Sequence, residues 1–174
     1  FAVGAGKAVV STPYWAAQPR QLGVSFAATS TASGSAALAI GERLAGRDRT
    51  AASLEMLSAA AIATKLAADT VARPRVERLG VRESPARAPS ARKRALANAL
   101  LAGAVAGCAV NALGGRRSRS LALAAGSAII AGCWLSRSAT MNTGLHSAGR
   151  PRDYFRFAQP QRLGEALAGK EEQR

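Results

Sequence analysis

Histidine, cysteine, aromatic side chains and acidic groups are all scarce in this 174-residue chain. Two cysteines, Cys108 and Cys133, exclude a disulfide-stapled scaffold. Cys108, Cys133 and the single His146 offer too few ligands in sequence proximity for a zinc site, so no metal is expected. One histidine also rules out a bis-histidine haem held by this chain alone. Aromatics make up 5% of the residues, too few for a stacking platform of the kind single-stranded nucleic acids use. Ten acidic residues face 24 basic ones, a formal net charge of +14. No catalytic triad, phosphate-binding loop or dinucleotide fingerprint is present, so nothing reads as a self-contained enzyme.

What is present is a block structure. Gly23 to Gly41 carries no charge over 19 positions, and neither does Ala95 to Leu113. Leu121 to Ser136 is uncharged over 16 positions. Ala51 to Ala72 is apolar apart from Glu55, Lys65 and Asp69. At about 1.5 Å rise per residue, 19 helical residues reach roughly 28 Å, close to a bilayer core. Alanine dominates these blocks and contributes little transfer free energy, which leaves a soluble Ala-rich bundle as the competing reading. A soluble helix, however, alternates polar and apolar stripes, and three of the blocks have no charged face. The expectation is an all-α transmembrane bundle with spans near 23–41, 51–72, 95–113 and 120–136. The run from Phe1 to Val10 reads as the end of a preceding span, so the chain is expected to be part of a larger bundle. Residues 137–174 are expected to form a basic polar tail.

Connections carry the punctuation. Pro74 is expected to close the second helix. Arg92-Lys93-Arg94 is placed in the loop before the third, and Gly114-Gly115-Arg116-Arg117-Ser118-Arg119 is a tight turn before the fourth. The loops and tail on one side hold 16 basic residues against 6 on the other, which puts the tail on the cytoplasmic side. Basic residues concentrated between uncharged helices fit lipid headgroups, and no nucleic-acid partner is expected. Tyr14 and Trp15 read as an interfacial anchor. Gly103 and Gly107 have the spacing of a close helix contact.

The second block holds the candidate chemistry. On a helical wheel Glu55, Lys65 and Asp69 fall within an arc of about 80°. Lys65 and Asp69 are an i, i+4 pair and read as snorkelling near the helix end. Glu55 has no charged partner on its own helix and lies five residues after Thr50, the expected N-cap. A carboxylate inside a span points by default to a proton path. The hydroxyls of Ser25, Thr29, Ser30, Thr31, Ser33 and Ser35 are expected to bond back to helical carbonyls or across to a neighbour. Both cysteines are expected in the packed core.

The order of short motifs resembles one family. Thr12-Pro13-Tyr14-Trp15, then Pro19 and Leu22, precede a helix reading Ser25-Phe26-Ala27-Ala28-Thr29-Ser30-Thr31-Ala32-Ser33-Gly34. The next helix opens with Leu54-Glu55-Met56-Leu57. Gly115-Arg116-Arg117 leads into the last helix, followed by Arg137, Gly144, Ser147-Ala148, Pro151, Tyr154 and Pro160-Gln161-Arg162. This resembles the C-terminal half of the polysulfide reductase NrfD-like (NrfD/PsrC-type) integral membrane subunits. Arg150 stands where such proteins usually carry an aspartate. The resemblance implies a multi-pass subunit of the inner (cytoplasmic) cell membrane within a respiratory complex. Such subunits exchange electrons between the quinone pool, menaquinone or ubiquinone, and a ferredoxin-like iron–sulfur subunit. That partner serves a molybdopterin-type catalytic subunit. The resemblance assigns the quinone pocket to the N-terminal bundle and matches Glu55 to an acidic position of the second bundle, a proton-path or structural carboxylate. The alternatives are a membrane anchor or assembly subunit without quinone chemistry and a basic soluble nucleic-acid-binding bundle.

Overall fold

A computed structural model describes Trp15 and residues 19–78, 89–113 and 118–148. Among these there are four helices and no strand: α1 Pro19–Leu44, α2 Asp48–Arg78, α3 Pro89–Leu113 and α4 Arg119–Ala148. The expected all-α architecture is present. Residues 1–10, Tyr14, the Gly114–Arg117 turn and the chain beyond 148 lie outside the described residues.

α1 and α2 form a tight helical hairpin. Gly46 has φ +76°, the left-handed conformation that a side chain disfavours. Arg47 N–H donates to the Glu42 carbonyl at 2.9 Å and Gly46 N–H to the Arg43 carbonyl at 3.2 Å. This is a Schellman ending, which satisfies carbonyls left over at the C-terminus. The Ala51 N–H already donates to the Arg47 carbonyl at 3.1 Å. Arg47 therefore holds the cap position expected of Thr50, and α2 begins three residues earlier than its apolar block. α3 and α4 pack as a second pair, α1 closes on α4, and α2 packs on α3 less closely than these neighbouring pairs pack together.

The core is small-residue packing. Ala32 and Ala36 of α1 meet Ile62 of α2, Leu101, Ala104 and Cys108 of α3, and Ala125, Ile129 and Cys133 of α4. Both cysteines are buried and free, as expected. A Cβ on Gly132 would stand 2.8 Å from the Leu101 side chain, and one on Gly126 3.1 Å from Ile40. The close approaches thus belong to α4. Gly103 has nothing within 4 Å of a built Cβ, and Gly107 makes only ordinary contact with Ala125 and Leu121. The Gly103/Gly107 spacing is not the tight interface. Trp15 is also not an exposed anchor: it is buried, and a Cβ on Gly144 would overlap its indole.

Three segments are long and apolar enough to cross a membrane: Asp48–Ala72, Ser90–Ala112 and Arg119–Gly144. The chain thus has membrane-protein character, with one candidate span fewer than expected. α1 is long enough, but the hydroxyls and glycines in its uncharged stretch lower its hydropathy and leave it outside that set. α2 runs through Pro74 to Arg78. Proline only withholds one donor from the Thr70 carbonyl and does not stop a helix already propagating. Arg92-Lys93-Arg94 lies inside α3, not in the loop. α4 continues 12 residues past the expected boundary at 136 and takes in Arg137 and His146.

Candidate functional site

Arg43 stands at the C-terminal end of α1 and is 4% exposed. Its Nε donates to Glu55 Oε1 at 2.9 Å and its Nη2 to Glu55 Oε2 at 3.1 Å. Nη1 donates to Asp48 Oδ1 at 2.8 Å. A bidentate fork of this kind gives an arginine–carboxylate pair both strength and fixed geometry. Hydrogen bonding to Glu55 raises the Arg43 pKa above its ordinary value, with Asp48 adding to the effect and burial opposing it. Asp48, at the start of α2, is well exposed, while the Glu55 side chain is only 14% exposed. The carboxylate without a partner on its own helix has one across the hairpin.

One turn further along α2, Ser58 and Ser35 share a buried hydrogen bond of 2.7 Å. Ser35 also donates back to the Thr31 carbonyl at 2.7 Å, and Thr29 and Ser30 donate to the carbonyls of Ser25 and Phe26 at 2.9 Å each. The hydroxyl block therefore bonds back and across, as its sequence implied.

Lys65 is fully buried. Its Nζ lies 2.8 Å from Asp69 Oδ2 and donates to Asn98 Oδ1 on α3. The i, i+4 pair is present, but Lys65 does not snorkel. α3 covers it, and Asn98 replaces part of its hydration. Ten residues, about 15 Å of helix, separate Lys65 from Glu55. The fully buried, apolar Ile62 stands between them on the same helix, so the two ion pairs are separate sites.

Arg137 is a third polar tie. It donates to Ser30 Oγ, to Thr29 Oγ1 at 3.2 Å and to the Phe26 carbonyl at 3.4 Å. Its guanidinium carbon lies 5.8 Å from the centroid of the Phe26 ring. Sequence reasoning counted Arg43 and Arg137 as loop and tail charges and missed both. The signal for Arg43 is Gly46: a hairpin turning there folds α2 back beside the end of α1, within reach of the long Arg43 side chain for Glu55. Arg137 carries no comparable signal, because its partners are 107 to 111 residues away.

Among the described residues no group of three or more His, Cys, Asp or Glu could hold a metal ion. The class that fold and site define is a helical bundle of membrane character, with charged residues paired inside it. No family model, curated protein or solved structure matches the chain.

Proposed function

We propose that this chain is part of a multi-pass membrane subunit of a respiratory oxidoreductase complex. Its substrate is a quinone, menaquinone or ubiquinone, and its partners are an iron–sulfur subunit and, beyond it, a molybdopterin-type catalytic subunit. The subunit sits in the cytoplasmic membrane with the tail inside. The motif order around Glu55 motivates this reading, which is similar to that of NrfD-type subunits. The observation that supports it best is a buried charged pair, Arg43–Glu55, in which Glu55 lies inside a candidate span and Arg43 at the end of the neighbouring helix. Charges in such segments are costly and are kept where they pair or serve transport.

Within this reading the bundle is the rigid half of the subunit and Glu55 is a structural carboxylate, because Arg43 engages both of its oxygens. A proton path through Glu55 is the second reading, favoured by its place within a candidate span. Glu55→Gln in the full-length complex separates them. The structural role lowers the amount of assembled complex and leaves quinone-linked turnover per complex unchanged. Loss of turnover per complex by tenfold or more, with assembly intact, supports the proton path. A chain that co-purifies with no iron–sulfur subunit from detergent-solubilised membranes overturns the redox reading.

A further inference from the structure

α2 and α3 pack less closely than the other neighbouring helix pairs, and a cavity of about 180 Å³ opens between them. Its walls are mostly apolar, with Ala52, Met56 and Ala59 of α2 facing Val105 and Ala109 of α3, and Arg43, Glu55 and Asn111 add polar groups. An engineered apolar cavity of ~150 Å³ is enough for a small aromatic ring, so this one has room for several methylene groups. Met56 is 71% exposed at its edge, which leaves the seam open toward the surroundings of the bundle and not toward its core.

The seam has a cationic mouth. Arg49, Ala52, Met56 and Ala59 follow one another at helical spacing on α2, so Arg49 stands one turn above the cavity on the same face. Arg49 is exposed and has no side-chain partner among the described residues. The neighbouring cations are engaged: Arg43 with Glu55 and Asp48, and Arg47 with Glu42. Glu55 also lines the cavity, but Arg43 neutralises it. Arg49 lies at the end of the candidate span Asp48–Ala72, at headgroup level if that segment crosses. From Ala52 to Ala59, its α2 lining, the cavity runs about 10 Å along the helix, and Arg49 stands about 4.5 Å beyond that lining. The seam therefore has a cation at headgroup level and, below it, a mostly apolar slot about 10 Å long, enough for the upper part of one acyl chain.

We propose that this seam holds an anionic phospholipid, its phosphate on Arg49 and one acyl chain between α2 and α3. The charge at the mouth and the depth of the slot select this occupant over a protein helix, which 180 Å³ cannot accommodate. The proposal rests on the membrane-spanning reading and is independent of the redox reading.

The test uses the full-length subunit, purified in mild detergent from membranes and exchanged into phosphatidylglycerol or phosphatidylcholine vesicles. Lipid retained after delipidating washes is counted by mass spectrometry. Wild type is expected to retain phosphatidylglycerol over phosphatidylcholine. Arg49→Gln should cut that preference about fivefold, the scale of one cation near a lipid surface. Ala59→Phe should fill the slot and abolish retention of either lipid while leaving the melting temperature within a few degrees. Equal retention by wild type and both variants overturns the proposal, because the lipid is then only annular. Loss of partner-subunit binding in Ala59→Phe with lipid retention unchanged also overturns it, since a protein then covers the seam. An alkaline carbonate wash of the same membranes is the control: release of the chain there defeats the spanning reading itself.

Discussion

Arg43 donates three hydrogen bonds to two carboxylates while almost wholly buried, and this makes its loss asymmetric. Arg43→Met strands Glu55 in a largely enclosed position, and about 3 kcal/mol of stability should go with it. Replacing both residues in Arg43→Met/Glu55→Met removes the stranded charge, and most of the loss should be recovered; Asp48 is exposed and needs no partner. Apparent melting temperatures in detergent of wild type, Arg43→Met, Glu55→Met and the double variant measure the coupling, and simple additivity would defeat the argument. Glycines give a second contrast. Gly144→Ala drives a methyl into the buried Trp15 indole and should destabilise by about 1–3 kcal/mol, with a shift in tryptophan emission. Gly34→Ala meets nothing within 4 Å and should be neutral or slightly stabilising. Glu55 was visible in the sequence as a charge in an apolar run. Its partner was not, because Arg43 looks like any other loop arginine until the hairpin closes.

The α1–α2 hairpin is the element whose stability should respond to pH. Arg47, the residue after Gly46, pairs with Glu42, where a Schellman ending often has an apolar contact. The hydrogen bond from Arg47 lowers the Glu42 pKa below its ordinary 4.5. A carboxylate whose folded pKa is depressed adds stability above its unfolded pKa, and that stability is lost as pH falls through the folded value. Thermal melts in detergent should therefore show an acid limb below pH 4.5 that Glu42→Gln diminishes. An unchanged limb in the variant would assign it to other carboxylates. Much of this element could be read in advance: two apolar runs, a glycine between them and acidic residues nearby announce a helical hairpin. The position of the cap could not, because Arg47 caps through its backbone carbonyl and no side-chain type marks that role.

At the scale of the molecule, three helices suited to crossing a membrane and a fourth that is more hydroxylated pack into one small-residue core. Membranes washed with high salt and then with alkaline carbonate should keep the chain in the pellet until detergent is added. Release by salt alone would return the reading to a basic soluble bundle. α1 is expected to depend on its neighbours: Ser35 bonds to α2, and Arg137 of α4 ties down Thr29 and Ser30. Arg137 also shows why the last helix outruns its apolar block, since a charge that finds hydroxyls and an aromatic face within the bundle does not end a helix.

The sequence by itself determined that the chain is helical, where the apolar runs lie, and that Glu55, Lys65 and Asp69 share one face of α2. These are local properties, carried by charge-free runs and by the 3.6-residue period. Only the tertiary structure decided that Lys65 is buried against Asn98, 33 residues away, that Glu55 belongs to Arg43, and that α4 rather than the Gly103/Gly107 pair supplies the close contacts. Each depends on which helices become neighbours and at what height. Packing of small residues sets that arrangement, and no single helix encodes it.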